Sequence, residues 1–340
     1  MSEKSENRIA YIDISKGILI CCLLYGHMMI FARERGIDDA AMDAMHKGIK
    51  LYAGFFMQSF FIITGFCSSF KRGFGDFLWR NVKTLLIPAV ILVVLANYIQ
   101  ELVFDHQLSL APIANLAGWI TFGAPWFILT MFFAKVVYWG ISRMSMKWQV
   151  IIIAALYLLG IALNIIDVVP NYLYHRHTLL MLPYLFLGQL CRQYYETVSK
   201  WLPYIALFGA ISILGQFVVS QFVDSYSIPV HDFNISINRT FPIHIVNAVT
   251  GTAVVLWLSK AISKSKFFET LGKGTLLIYL WNGLVNRVVL AVVPYPNGGG
   301  ILQQIIFHSI VYILILVLFY LLVKLVYETK CLRWMVGKWK

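Results

Sequence analysis

Charged residues are scarce in this sequence, and acidic residues are scarcer than basic ones. Only 13% of the residues are Asp, Glu, Lys or Arg, whereas 59% are hydrophobic and 15% are aromatic. A typical soluble domain has about 25% charged residues, so this composition excludes an ordinary soluble protein. We predict an all-α fold, a polytopic bundle of transmembrane helices.

Cysteine is also uncommon, and its arrangement excludes two kinds of site. The chain has five cysteines, an odd number, and no pair has the Cys-x-x-Cys spacing. Most of them lie inside apolar segments. We therefore predict no disulfide framework and no metal site.

The formal net charge of +12 is not spread evenly along the chain. Connections rich in Lys and Arg alternate with connections that are neutral or slightly acidic. The positive-inside rule places the basic connections in the cytoplasm, and the alternation predicts about ten spans with both termini cytoplasmic. We expect a multi-pass protein of the plasma membrane, in contact with lipid and without a nucleic-acid partner.

The predicted spans are distributed over the whole chain and form one domain. We predict a single integral-membrane domain over residues 1–340, with a short N-terminal segment at 1–8 and a basic tail at 324–340. No internal repeat or soluble domain is evident, so the bundle itself must carry the function. The predicted spans are residues 8–31, 51–70, 84–104, 119–141, 148–166, 178–191, 201–222, 240–259, 275–293 and 302–323.

The first span, RIAYIDISKGILICCLLYGHMMIF, is the most informative stretch. It contains Asp13, Lys16 and His27, and a charged group at membrane depth costs about 2.5–3.5 kcal/mol. On a helix these three residues form one stripe, because Lys16 and His27 are only about 20° apart around the axis. The stripe should face the interior or a wet cavity, with Lys16 and His27 roughly 16 Å apart along the axis.

Simpler interpretations of these residues remain open. Asp13 and Lys16 are also consistent with an ion pair at the membrane surface, with Lys16 extending to water. His27 is also consistent with a packed histidine that bonds a backbone carbonyl. In the second span, Gln58 and Ser59 are typical of close contact between helices.

Basic residues cluster near the predicted inner end of the first span. Lys16, Arg80 and Lys83 suit a phosphate-bearing ligand that approaches from the cytoplasm; membrane topology alone is the alternative explanation. His27 can accept a proton from a substrate hydroxyl, because an imidazole with a pKa near 6.5 is matched to neutral pH.

Several motifs resemble those of the acyltransferase 3 family of membrane O-acyltransferases. YIDISKGILICCLLYGH resembles its first-helix signature of an Asp, a basic residue three positions on and a His eleven later. The stretches FFMQSFFIITGF and FLWRNVKTLLIPA resemble its second span and the entry to its third. PWFI resembles its Trp-Phe motif, and LGKGTLLIYLWN resembles its Ser-Leu-x-Tyr-Leu-x-His segment.

This resemblance implies transfer of an acyl group, usually acetyl from acetyl-CoA, to a hydroxyl of an extracytoplasmic or lipid-linked glycan. Acetyl-CoA would be a co-substrate, with no permanently bound cofactor. His27 matches the catalytic histidine, and Lys16, Arg80 and Lys83 match basic positions that handle the donor. The sequence departs from the family where Lys16 and Lys83 replace Arg, and where Asn282 replaces His.

A transporter or flippase for a glycan or lipid-linked substrate is the competing functional class.

Other residues are candidates for supporting roles. Lys135 lies about two turns from the inner end of its span, and we expect it to extend to the surface rather than bind a ligand. Trp126 is expected to pack, lie at the interface or stack on a sugar. The supporting candidates are Asp13, Gln58, Ser59, Trp126, Asn282 and Arg287.

Polar residues on the predicted outer side are candidates for the lining of an acceptor entrance. Ordinary loop polarity is the alternative explanation. These residues are His175, Arg176, His177, Asp232, Arg239 and His244.

Overall fold

The computed structural model describes residues 3–37, 39–106, 109–115, 126–166, 171–222, 241–296 and 299–338, and their regular secondary structure is helical throughout. A π-helical turn at Val82–Leu86 joins α4 to α5, and a second one at Glu101–Asp105 extends α5. The α-helices are α1 (Glu3–Glu34), α2 (Ala40–Ile49), α3 (Phe56–Cys67), α4 (Phe74–Asn81), α5 (Ile87–Gln100), α6 (Ala111–Ala114), α7 (Trp126–Ile141), α8 (Met146–Ile166), α9 (His175–Gln193), α10 (Tyr195–Phe222), α11 (Phe241–Ile262), α12 (Lys266–Lys273), α13 (Thr275–Val292) and α14 (Ile301–Glu328).

The protein is an all-α polytopic membrane protein, as predicted. Seven helices are long and apolar enough to cross a membrane, and α3 and α7 are shorter apolar helices. The helix α9, on the predicted sixth span, is not among those seven, and residues 119–125 of the predicted fourth span lie outside the described residues. The seven segments are Ala10–Glu34, Phe74–Asp105, Met146–Ile166, Tyr195–Val219, His244–Ile262, Thr275–Val292 and Ile301–Glu328.

The helix α1 lies at the centre of the bundle. It is 32 residues long, roughly 48 Å at 1.5 Å per residue, which exceeds the roughly 30 Å hydrocarbon thickness of a bilayer. Ile14, Leu19 and Leu24 on this helix have no exposed surface. By contrast, Leu158 on α8 and Leu207 on α10 are 64% and 62% exposed, so these two helices present apolar side chains to lipid.

Glycines allow two pairs of helices to approach closely. A Cβ atom on Gly17 would overlap the backbone of α12, and one on Gly272 would overlap the backbone of α1. Gly65 on α3 and Gly188 on α9 face each other in the same way. Small residues let helix backbones meet in a membrane, so these glycines fix α12 against α1 and α9 against α3.

Hydrogen bonds between hydroxyl groups attach α11 to α1 and α3. Ser15 Oγ on α1 donates to Ser259 Oγ on α11 over 2.9 Å. Ser59 Oγ on α3 and Thr252 Oγ1 on α11 are 2.8 Å apart and share a hydrogen bond. Such bonds contribute about 0.6 kcal/mol each in membranes, so they align the helices more than they stabilise them.

A buried carboxylate joins three segments at the predicted outer face. Asp39 Oδ1 caps α2 by accepting from Met42 N at 2.7 Å, and Asp39 Oδ2 accepts from Tyr295 Oη at 2.8 Å. His308 Nε2 on α14 lies 3.0 Å from the same Oδ2. Burial alone raises the pKa of Asp39, but these hydrogen bonds outweigh it and hold the pKa below its usual value.

Candidate functional site

The helix α1 carries Asp13, Lys16 and His27 along the bundle interior. Lys16 Nζ forms an ion pair with Asp13 Oδ1 at 3.3 Å. Lys16 lines an inner cavity of about 190 Å³, and His27 lines an outer cavity of about 420 Å³. We use "inner" for the side predicted to be cytoplasmic and "outer" for the opposite side. The single polar stripe predicted on α1 therefore reaches two different cavities.

The inner cavity changes from polar to apolar with depth along the two helices that run outward. On α1 its lining begins at Lys16 and ends at Leu23, and on α13 it begins at Thr275 and ends at Tyr279. Charge and hydroxyl groups thus lie at the inner end, and hydrocarbon and an aromatic ring lie deeper.

The two helices that run inward show the same order. The lining residues nearest the cytoplasmic side are Lys135 on α7 and Thr64 on α3, whereas Phe127 and Met57 lie about two turns deeper. On all four helices, the lining of the cavity is cationic or polar at the inner end and apolar deeper in the bundle.

The outer cavity has a different chemistry. His27 and Phe31 of α1 line it, with their rings stacked at a centroid distance of 6.1 Å and an interplanar angle of 29°. Two amide side chains of α5, Asn97 and Gln100, lie on another wall with Trp126 of α7. Amides and aromatic rings together can bind a neutral ligand rich in hydroxyl groups.

Arg287 provides the positive charge of the outer cavity, and that charge is already paired. Its Nη1 donates to Gln100 Oε1 over 2.8 Å, and its Nη2 lies 3.2 Å from Glu34 Oε2. The guanidinium carbon lies 5.3 Å from the centre of the Phe31 ring. These contacts connect α13 to α5 and α1.

Asn282, the residue that replaces the histidine of the resembled motif, lines the outer cavity. Its side-chain nitrogen donates to the backbone oxygen of Tyr279, and its own backbone oxygen accepts from Asn286 Nδ2 over 2.7 Å. The Asn282 amide is therefore engaged with its own helix, and the side chain stabilises α13 locally.

Tyr279 lines both cavities and so forms part of the wall between them. Its hydroxyl oxygen accepts a hydrogen bond from Phe127 N at the start of α7, over 3.3 Å. Trp281 Nε1 donates to Leu92 O over 3.0 Å and attaches α13 to α5. The sequence analysis did not single out Tyr279, although it lies in one of the quoted motifs.

The two other predicted donor-binding residues lie outside the inner cavity. Arg80 on α4 is exposed and Lys83 is partly buried, and Leu85 is the residue of this segment that lines the cavity. Arg80 is nevertheless close enough for its charge to repel that of Lys135. The structure thus brings Lys16 and Lys135 together in one cavity, with Arg80 near Lys135.

The basic tail adds charge at the inner end of α1. Burial lowers the pKa of Lys338, and the positive charges of Lys273, Arg333 and Lys16 lower it further against the opposing effect of Asp13. Lys338 therefore lies within a group of cations around Lys16.

Gln58 and Ser59 line neither of these two cavities. Gln58 Nε2 lies 3.0 Å from His244 Nε2 on α11, and both side chains are buried. Ser59 forms a hydrogen bond with Thr252, which also lies on α11. Both residues hold α3 to α11, which is the helix-contact interpretation of the sequence.

The outer polar residues have diverse surroundings. The His177 and Trp126 rings lie 5.5 Å apart, which places His177 beside the outer cavity. His244 is buried with Gln58 rather than exposed in a loop. Asp232 and Arg239 lie outside the described residues. Among the described residues, no group of three or more His, Cys, Asp or Glu is arranged to hold a metal ion.

Comparison with known proteins identifies the family. Residues 9–328 match the model of the acyltransferase 3 family, described as an acyltransferase domain. The match covers most of the chain, so the protein belongs to this family and is a multi-pass membrane acyltransferase. Searches of curated proteins and of solved structures gave no significant match.

Proposed function

We propose that this acyltransferase 3 protein transfers an acyl group, which we expect to be acetyl, from cytoplasmic acyl-CoA to a hydroxyl of an extracytoplasmic or lipid-linked glycan. The observation that carries the proposal is the pair of chemically different cavities that share Tyr279. A reaction between a charged donor and a polar neutral acceptor needs two such environments within reach of each other.

The inner cavity suits the acyl end of the donor. Its volume of about 190 Å³ is below the roughly 300–1,000 Å³ of pockets for drug-sized ligands. The apolar walls can therefore take the thioester and part of the pantetheine arm, while the nucleotide stays at the inner mouth. Lys16 and the cations around it are placed to meet the phosphates there.

The outer cavity suits the acceptor. Its volume of about 420 Å³ can hold a sugar unit. Asn97 and Gln100 offer amide groups to sugar hydroxyls, and Trp126 and Phe31 offer aromatic faces. His27 lies in this same cavity, on the side from which the acceptor hydroxyl would arrive.

His27 acts as the general base in the proposed reaction. It accepts the proton of the acceptor hydroxyl while that oxygen bonds to the thioester carbonyl carbon. The carbon–sulfur bond then breaks, the acyl group stays on the acceptor, and the His27 imidazolium returns the proton to the thiolate of coenzyme A. The reacting carbonyl must reach the boundary at Tyr279, where the two cavities meet.

The test is acyl transfer from labelled acetyl-CoA in membranes that contain the His27→Ala variant. General-base catalysis contributes about 10²–10⁴-fold to a rate, so we expect a loss of that size. His46→Ala is the matched control, because His46 is an exposed histidine on α2. Unchanged transfer by His27→Ala at normal protein levels would exclude His27 as the base.

The acceptor class has its own test. Mild alkali removes O-acetyl groups, so the surface polysaccharide of a deletion strain should release less acetate than that of the parent strain. Equal release would contradict a glycan acceptor. A transporter or flippase, the competing class, would show no labelled ester in a purified system that contains donor and acceptor.

A further inference from the structure

Lys135 lines the inner cavity. We expected its side chain to extend to the membrane surface. It lies on α7 and lines the same cavity as Lys16 of α1. Lys16 has Asp13 as its partner at 3.3 Å. Among the described residues, Lys135 has no acidic side chain within ion-pair distance.

The inner cavity therefore carries a positive charge that the described protein does not neutralise. A charged lysine on a transmembrane helix is energetically unfavourable, and the nearby charge of Arg80 adds repulsion. A second lysine in the same cavity increases this cost. Such an arrangement persists where a ligand supplies the missing negative charge.

Depth along α7 indicates which part of a ligand meets Lys135. Lys135 is eight residues from Phe127, roughly 12 Å along the helix axis, and Phe127 contacts Tyr279 through its backbone N–H. An anionic group near Lys135 thus lies at the inner end of the cavity, while the chain attached to it passes apolar walls toward Tyr279.

We propose that Lys135 binds a phosphate group of the acyl donor, with Lys16 of α1, which lines the same cavity, as its counterpart. This inference rests on the proposed function, because it takes the inner cavity as the donor site. The recognised chemistry is a phosphate ester at the end of a long flexible arm. Coenzyme A carries such a group, and an anionic lipid headgroup carries the same chemistry.

The test compares two donors that share a thioester. Acetyl-CoA carries phosphates and S-acetylpantetheine carries none, so only the first can use the Lys135 charge. A hydrogen bond to a charged group contributes about 1.5–3 kcal/mol, so Lys135→Met should raise KM for acetyl-CoA about 10- to 150-fold. The kcat and the KM for S-acetylpantetheine should stay close to wild type.

Two further variants make the comparison specific. Lys147→Met removes a lysine from the exposed inner surface at the start of α8 and should leave both KM values unchanged. Lys135→Arg keeps the charge and should recover most of the affinity. A KM that rises equally for both donors in Lys135→Met would indicate a structural defect and would overturn the proposal.

Direct binding of acetyl-CoA to purified protein separates this inference from the function on which it rests. If wild type binds acetyl-CoA and Lys135→Met binds it equally well, Lys135 is not a phosphate ligand and the donor site itself stands. If wild type neither binds nor uses acetyl-CoA, the proposed function fails. If Lys135→Met loses only co-purified anionic lipid in nanodiscs, the phosphate belongs to a lipid and the donor assignment is wrong.

Discussion

The inner and outer cavities differ in how they handle positive charge. In the outer cavity Arg287 is paired with Glu34 and Gln100 before any ligand arrives. In the inner cavity Lys135 has no such partner among the described residues, and Lys16 shares the space with it. This difference supports the proposal that the inner cavity binds an anionic ligand and the outer cavity a neutral polar one.

The two cavities also differ in their walls. Hydrocarbon side chains surround the deep part of the inner cavity, whereas amide and aromatic groups are spread over the outer cavity. Hydrocarbon walls accept the alkyl part of an acyl group without hydrogen bonds, and amides provide the partners that buried hydroxyls need. Donor and acceptor can therefore be distinguished by chemistry as well as by side of entry.

Removing the ring that both cavities share should strongly reduce acyl transfer. Tyr279→Ala deletes the ring that lines both cavities, and we expect about a 100-fold loss of transfer, because small errors in position are costly in catalysis. Donor hydrolysis without acceptor should rise as water reaches the thioester.

Tyr279→Phe is the matched control, since it keeps the ring and loses only the hydroxyl that accepts from Phe127 N. We expect it to retain most activity. Both rates are measured with labelled acetyl-CoA, with and without acceptor. Wild-type transfer by Tyr279→Ala would show that the ring does not separate the two reactants.

A change confined to the outer cavity should have a smaller effect, and it should affect only the acceptor. Arg287→Met removes the guanidinium beside Phe31 and releases Gln100. We expect KM for the acceptor to rise about tenfold, the loss of one charged hydrogen bond, while KM for acetyl-CoA stays constant. Arg35→Met, an exposed outer arginine, is the control. An increase in KM for the donor alone would contradict the assignment of the cavities.

Substitution of Asp39 should have the smallest effect on activity, because this carboxylate stabilises the outer face and lines neither cavity. Its pKa is held below the usual value near 3.8, so the charged form contributes stability above that pH. This contribution is lost as the pH falls through the lower pKa of the folded state. The melting temperature of wild type in detergent should therefore fall in acid.

Asp39→Asn keeps a helix cap but loses the charge. We expect it to reduce the free energy of unfolding by about 1.5–3 kcal/mol at neutral pH and to show a weaker acid dependence. Asp43→Asn is the control, because Asp43 forms an exposed ion pair with Arg33. Equal acid sensitivity of wild type and Asp39→Asn would place the titrating group elsewhere.

The sequence predicted the helices well because their apolar runs are long. The ninth predicted span, 275–293, differs from α13 by one residue at its end. The π-helical turn at Val82–Leu86 could not be predicted, since it changes backbone hydrogen bonding without changing the apolar pattern. The family and the multi-pass membrane fold were predicted correctly.

For the candidate site, the sequence could relate only residues that lie on one helix. Lys16 and His27 share a face of α1, so periodicity alone relates them. Lys135 was expected to extend to the membrane surface on the basis of its distance from that surface, whereas its place in the lining of the inner cavity also depends on the helices around α7. Tyr279 was missed for the same reason, because its place between two cavities depends on how α13 packs against α1 and α7.

Tyr279 also has an electrical consequence. The inner and the outer cavity both reach this aromatic ring. Water in both cavities would concentrate the transmembrane voltage across that short distance, where one elementary charge gains about 2.3 kcal/mol per 100 mV. In the proposed reaction, proton transfer between His27 and a thiolate would move charge through this field, and the rate of acyl transfer would then depend on the membrane potential.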